Sequence, residues 1–195
     1  MSSAWDLDSS LREAVAALTP DTDTADAQAD EPADERADEQ ADEQNGELSG
    51  DQLREWYDAM LTSRQLDLAG HWLRSWNEGY HSVSSAGHEA TAAVAAALRP
   101  TDPVLLYPRS GGFYCARAAQ VPASDPVLDV LGAVVGAATE PMAGGRHTPY
   151  GSRALAVVPA SGNGAAHLPR AMGLAFAIDR GRRLGVAGAL DLPED

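Results

Sequence analysis

Four short segments hold the side chains best suited to catalysis or ligand binding: residues 84–89, 107–112, 144–147 and 161–167. Each combines small residues with a His or an Arg. In the second segment, Arg109 follows a short apolar run and precedes two glycines. A guanidinium beside the backbone N–H groups that open a helix is a typical arrangement for binding phosphate. An exposed Arg in an ordinary turn is the alternative interpretation.

The other three segments also allow two interpretations each. His88, in SSAGHE, faces a cofactor or substrate pocket or marks a plain helix start, where the neighbouring Glu is favoured by the helix dipole. Arg146 and His147 close over a substrate carboxylate or belong to an ordinary surface loop. His167 precedes an apolar helix, and a buried, hydrogen-bonded His fits that place as well as a catalytic one.

Composition excludes several classes of protein. The net charge of −15 opposes the neutralisation of phosphates that nucleic-acid binding needs. Cys115 is the only cysteine, so there is no disulfide framework, and it is expected to be a small core residue inside a helix. Neither a CxxC pair nor a His pair at i,i+4 supports a metal site. No apolar run of about 20 residues predicts a membrane span, and no signal peptide is indicated. A cytoplasmic protein is expected.

The charge divides the chain into three parts. Residues 1–50 hold fifteen acids and two bases, a net of −13, which leaves a net of −2 for residues 51–195. Residues 1–20 are predicted to be a tail with a short helix. Residues 21–48 are predicted to be a disordered acidic linker, because they offer almost no apolar surface to bury. Residues 49–195 are predicted to form the folded domain.

Within that domain the patterns predict helices alternating with short strands. Ser49 and Gln52 form a capping box before an amphipathic pattern that runs to Leu73 and that Gly79 breaks. Further helices are predicted at 89–98, after Asp125, and at 168–180, the last one apolar around its girth and therefore central. Strands are predicted at 104–106 and 154–158. This alternation predicts an α/β layered fold with parallel pairing.

The order of these motifs resembles a known family. Residues 84–120, 125–151 and 155–186 are similar, in that order, to the N-terminal part of the α-type decarboxylating component of thiamine-diphosphate-dependent 2-oxoacid dehydrogenases. The similarity is greatest to the branched-chain (2-oxoisovalerate) type, in the bacterial form with fused α and β portions. The fold class implied is a partial thiamine-diphosphate-binding fold, helix-rich with short parallel strands, preceded by the acidic segment. The activity implied is oxidative decarboxylation of a 2-oxoacid with acyl transfer to a lipoyl group.

The resemblance implies roles for particular residues. A Tyr-Arg pair binds the cofactor diphosphate in the family, which assigns that role to Arg109, with Tyr107 one position out of register because Pro108 stands where Tyr is usual. Ser110 continues the same motif. Ser161 and Gly162 correspond to the segment that contacts the cofactor or a structural potassium ion in the family. Arg146 and His147 correspond to catalytic groups on the substrate side.

The family's cofactor is thiamine diphosphate with magnesium, but the family's Gly-Asp-Gly-like magnesium motif is absent from this chain. The expectation is therefore an incomplete fragment of such an enzyme, with helix 168–180 lacking part of its cover. A non-catalytic binding or regulatory module, or a decaying remnant of the family, is the alternative. The partners implied are a 2-oxoacid, the lipoyl-bearing acyltransferase core subunit and the β portion of the dehydrogenase. The acidic residues 26–44 are a candidate arm for the basic docking domain of that core.

Overall fold

The computed structural model describes residues 48–80, 83–142, 144–145, 150–159 and 165–186. The chain divides into two units, Met1–Glu47 and Leu48–Asp195, and all described residues belong to the second unit. The short helix and the acidic linker predicted from the sequence thus lie outside the described residues, apart from Leu48. The described helices are α1 (Gly50–Ser75), α2 (Thr91–Ala96), α3 (Gly111–Ala119), α4 (Pro126–Val135) and α5 (His167–Leu184).

Helix α1 begins where its sequence predicts. The Gln52 N–H donates to Ser49 Oγ at 3.1 Å, and the Ser49 N–H donates to Gln52 Oε1 at 2.9 Å. This reciprocal pair is the predicted capping box, and it satisfies backbone groups that the first turn leaves unpaired. The helix ends four residues before Gly79, because Asn77 takes a left-handed conformation with φ 62°. The Glu78 N–H then closes onto the Leu73 carbonyl at 3.0 Å.

Helix α3 is the centre of the described unit. Every residue from Gly111 to Ala118 is buried, and the helix contacts α1, α2 and α4. Helix α1 turns a face of mostly small residues inward, formed by Ala59, Ser63, Leu66 and Gly70. Small side chains let two helix backbones approach closely. Cys115 lies in this core at 3 % exposure, as predicted.

Helix α4 confirms its predicted start. The Asp125 carboxylate accepts the N–H groups of Val127 and Leu128, each at 3.0 Å, and Pro126 occupies the first helical position, where no N–H is needed. The helix ends at Gly136, whose φ of 64° suits glycine. Helix α2, in contrast, is shorter than its predicted range of 89–98.

The predicted strands are reduced to single bridges, and no strand occurs among the described residues. Val104 and Val157 form one parallel bridge, with the Val104 N–H donating to the Ala156 carbonyl at 2.9 Å. The predicted strand at 154–158 is wrong: residues 153–156 form a turn, with Ala156 at φ 52°, that pairs Ser152 with Val157. The helix-rich part of the prediction holds, whereas the α/β layering remains a prediction.

Helix α5 corrects a second prediction, because it is not central. Its only buried residue is Gly181. Leu168, Met172 and Phe176 follow one another at intervals of four, so they lie along one face, and they are 58 %, 73 % and 64 % exposed. The sequence of α5 is mostly apolar on all sides, which predicted a buried helix. Within the described residues, however, no neighbouring helix covers this face.

The crowded start of α3 yields a prediction about two helical glycines. A Cβ at Gly112 would overlap the carbonyl oxygen of Glu89, whereas a Cβ at Gly173 of α5 would meet nothing within 4 Å. We expect Gly112→Ala to lower the free energy of unfolding by at least ~2 kcal/mol, because main chain must move. Gly173→Ala should raise it by up to ~1 kcal/mol, since Ala is the better helix former.

Urea denaturation followed by circular dichroism at 222 nm measures both changes. Equal stability of the two variants would contradict the close approach at Gly112. The pair is matched, because each variant adds one methyl group to a glycine inside a helix.

Candidate functional site

The residues just beyond the Val104–Val157 bridge form the candidate site. Tyr107 and Arg109 follow Val104, and His167 follows Val157 after a longer connection. The bridge is parallel, so these residues continue from the carboxyl ends of both paired segments. In α/β proteins with open parallel sheets, ligands bind at these ends. The Tyr107 and His167 rings are 6.1 Å apart between centroids and tilted by 45°.

Arg109 links the site to the loop before α2. Its Nη1 donates to the Ser84 carbonyl at 3.2 Å, and its side chain is half-buried. Ser84 Oγ and the Ser85 N–H both donate to Asp67 Oδ2 at 2.8 Å, which ties the loop to α1. One guanidinium nitrogen is thus used to orient the side chain. Arg109 makes no ion pair with any described residue. Its positive charge is therefore electrostatically compatible with a negatively charged ligand.

The amides at the start of α3 are mostly used within the chain. The Gly111 N–H donates to Ser85 Oγ at 3.0 Å, and the Phe113 N–H donates to Thr91 Oγ1 at 3.1 Å. The structure therefore does not present these amides outward to a ligand at the start of α3. Ser110 precedes the helix without a side-chain capping bond. Anion binding here depends on the Arg109 side chain rather than on the helix N-terminus.

The remaining residues singled out from the sequence divide into two groups. Arg146, His147, Ser161 and Gly162 lie outside the described residues. His88 is exposed, and Glu89 Oε2 accepts the Gly87 N–H at 2.8 Å. The Glu therefore stabilises its own loop, as the simpler interpretation of this segment expects. The structure thus brings Tyr107 together with His167, and Arg109 together with the loop at Ser84.

Sequence inspection missed a second polar cluster, located beside Gly111. A Cβ at this position would lie 2.5 Å from both Ser63 Oγ and Ser85 Oγ and 2.9 Å from the Tyr150 hydroxyl. Three hydroxyl groups from three distant segments therefore converge on one glycine. The sequence gives only a weak indication of this cluster. Ser63 falls on the buried face of α1, where its neighbours are apolar or small.

Burial changes the ionisation of the groups around this cluster. It raises the pKa of Tyr150 from 10.0 to about 12 and that of the Cys115 thiol from 9.0 to about 12. The pKa of Tyr114 is raised further, first by burial and then by the hydrogen bond to Asp129 at 2.8 Å. The Tyr114 and Tyr150 rings stack with centroids 5.1 Å apart. All three groups are therefore neutral at physiological pH, and Cys115 is a poor nucleophile.

Arg117 was also missed, although it is fully buried in α3. Its Nη1 donates to the carbonyls of Pro100, Asp102 and Leu155 at 2.9, 3.2 and 3.4 Å. Its guanidinium carbon lies 5.2 Å from the centroid of the Phe113 ring. The guanidinium thus holds the turn before Val104 and the turn before Val157 to the same helix. The signal was an Arg within the apolar run of residues 113–119.

The described residues include neither a metal-ligand group nor a helix suited to span a membrane. No group of three or more His, Cys, Asp or Glu side chains is placed to hold a metal ion there. None of the helices in the described part combines the length and the hydropathy that a membrane crossing requires. Comparison of the chain with protein-family models, with curated proteins and with solved structures gave no match.

The raised tyrosine pKa values predict how stability changes in alkali. The unfolded chain loses the Tyr150 proton near pH 10, whereas the folded chain keeps it until about pH 12. The folded state then binds more protons, so the tyrosine leaves the free energy of unfolding unaffected below pH 9 and lowers it between pH 10 and 12. The buried Cys115 thiol, whose pKa is raised from 9.0 to about 12, lowers it in the same direction from about pH 9 upwards. Tyr150 contributes on the order of 2 kcal/mol to this fall, and Tyr114 adds to it in the same direction.

Chemical denaturation at pH 8 to 11.5 checks this, with Tyr150→Phe and Tyr57→Phe compared. The first variant should show a shallower fall than the wild type, because it removes one of the raised groups. Tyr57 is 62 % exposed, so its variant should follow the wild-type curve. An unchanged slope in Tyr150→Phe would show that this hydroxyl is not in the environment described.

Proposed function

We propose that the chain supplies the diphosphate-binding side of a thiamine-diphosphate-dependent 2-oxoacid dehydrogenase of the branched-chain type. One feature of the sequence and one of the structure support this proposal. The order of sequence motifs resembles the α-type component of these enzymes, and Tyr107, two residues before Arg109, lies against His167 beyond the Val104–Val157 bridge. The Tyr107–His167 contact is the observation that carries the proposal, because it joins residues distant in sequence beyond the carboxyl ends of two parallel-paired segments. Open parallel sheets bind ligands at the corresponding end.

The cofactor fit rests on Arg109. A guanidinium already held by the Ser84 carbonyl through Nη1 retains further N–H groups that can pair with diphosphate oxygens. Tyr107 is 38 % exposed and follows the bridge, so its hydroxyl is a second candidate contact. The described residues offer no carboxylate cluster for the magnesium ion. When bound, thiamine diphosphate supplies the carbanion chemistry of decarboxylation, and this chain's described part would contribute binding and orientation.

The substrate side of the proposal rests on sequence resemblance. Arg146 and His147 are the proposed catalytic groups, with Arg146 pairing the carboxylate of the 2-oxoacid and His147 handling protons. Ser161 and Gly162 are proposed cofactor contacts. The β portion of the dehydrogenase would complete the site, and the lipoyl-bearing core subunit would receive the acyl group. The acidic residues 26–44 are the proposed docking arm for that core.

A second candidate function is a non-catalytic binding module that retains the opening of this fold. The exposed stripe of Leu168, Met172 and Phe176 favours it, because apolar patches of this kind mark contacts with other proteins. The internal use of the Gly111 and Phe113 amides also favours it, because it leaves fewer donors for a phosphate. Diphosphate binding distinguishes the two candidates.

The test is an NMR titration of the full chain with thiamine diphosphate, inorganic diphosphate and thiamine. We expect the two diphosphate compounds to shift the signals of Tyr107, Arg109 and His167, and thiamine to leave them unchanged. Arg109→Ala should weaken diphosphate binding at least tenfold, the loss expected for charge-assisted hydrogen bonds worth about 1.5–3 kcal/mol.

Arg54→Ala is the matched control, because Arg54 is an exposed Arg paired with Asp51 on α1. It should bind as the wild type does. Equal loss in both variants would indicate a general charge effect, and no shift up to 10 mM of either diphosphate compound would favour the binding module.

A further inference from the structure

A small cavity of about 30 Å³ lies among α1, α3 and α4 and reaches Tyr150. Its wall includes Ser63, Asp67, Cys115 and Tyr150, and the rest of the wall is Gly111 and aliphatic side chains. The cavity thus has polar groups on one side and an apolar surface on the other. It is separate from the Arg109 site, because neither Arg109 nor Tyr107 lines it.

Ser63 is the anomaly in this cavity. Its side chain is buried at 2 % exposure, and its Oγ has no hydrogen-bond partner among the described residues. A buried hydroxyl without a partner costs about 1–3 kcal/mol. Serine in a helix usually avoids that cost by bonding back to the carbonyl four residues earlier, but Ser63 does not bond to Ala59 in this way. The hydroxyl instead lines the cavity.

The other polar groups of the wall have bonding capacity left. Asp67 Oδ2 accepts Ser84 Oγ and the Ser85 N–H, and no described bond involves Asp67 Oδ1. The Tyr150 hydroxyl and Ser85 Oγ are 3.5 Å apart. That separation exceeds the 2.5–3.0 Å of a direct O–H···O hydrogen bond, and polar contacts of this length are often bridged by water.

We propose that this cavity is a binding site for one water molecule that hydrogen-bonds to Ser63 Oγ and bridges it to Asp67 and Tyr150. A water needs roughly 10–15 Å³ of such space and typically makes about three hydrogen bonds in protein interiors. The cavity volume and its three polar groups meet both conditions. The water connects α1 to the segment of Tyr150 across the glycine that opens α3.

The site also accounts for two residue choices. A side chain at Gly111 would strike Ser63, Ser85 and Tyr150, so glycine keeps the three hydroxyls within reach of a shared partner. An alanine at position 63 would suit the buried face of α1, where Ala59 also lies, but it would leave the water without its central partner. The raised pKa values of Tyr150 and Cys115 keep these two groups of the wall neutral at physiological pH.

Oxygen-17 magnetic relaxation dispersion tests the proposal, because its amplitude counts long-lived internal waters and is insensitive to proton exchange. We compare the full-length wild type with Ser63→Ala, which deletes the hydroxyl, and Ser63→Val, which also fills the cavity. Both variants should lose the amplitude of one water. Ser75→Ala is the control, because Ser75 is an exposed serine on the same helix, and its amplitude should equal that of the wild type.

A wild-type amplitude that persists unchanged in Ser63→Val would overturn the site, as would a wild type without any long-lived water. Circular dichroism and the urea midpoint of each variant establish that it folds. Should Ser63→Ala fail to fold, a high-resolution crystal structure of the wild type decides the question. An ordered oxygen within 3.0 Å of Ser63 Oγ supports the proposal, and its absence overturns it.

Discussion

The start of α3 must approach its neighbours more closely than any side chain allows. At Gly112 the helix backbone lies against the Glu89 carbonyl, and at Gly111 it lies against the hydroxyls of Ser63, Ser85 and Tyr150. Two consecutive glycines therefore determine how near α1, the loop before α2 and the Tyr150 segment come to the central helix. The Arg109 position depends on the same contact, since Arg109 lies two residues before α3 and donates to the Ser84 carbonyl.

Near the other end of α3, the charged side chain of Arg117 holds the neighbouring segments, whereas at the start of the helix glycines allow a close approach. Arg117 is buried and donates its hydrogen bonds to main-chain carbonyls, so it connects the two segments of the Val104–Val157 bridge without a carboxylate in direct contact. Burial lowers its pKa, and Asp102 acts in the opposite direction through its charge. A pairing of two residues is too small to be stable alone. The hydrogen bonds of Arg117 therefore hold the two segments together in place of the backbone hydrogen bonds that a full strand would supply.

Local patterns predicted what local forces control. The capping box at Ser49 and Gln52 and the start of a helix after Asp125 depend on residues within a few positions of each other, and both are as predicted. The predicted strand at 154–158 is wrong because its conformation depends on tertiary contacts rather than on local composition. Its apolar composition suits a strand, but the left-handed Ala156 makes a turn there, and tertiary contacts at Val157 and Arg117 hold that turn.

The sequence by itself determined the helices, the charge division at residue 50 and the identity of Arg109 as an anion-binding candidate. These properties follow from periodicity, capping and composition. Only the tertiary structure decided which distant residues meet: Tyr107 with His167, Arg109 with Ser84, and Ser63 with Asp67 and Tyr150 around one cavity. It also decided that α5 keeps an exposed apolar face. Apolar content states that a helix benefits from burial, but the position of its neighbours determines whether it is buried.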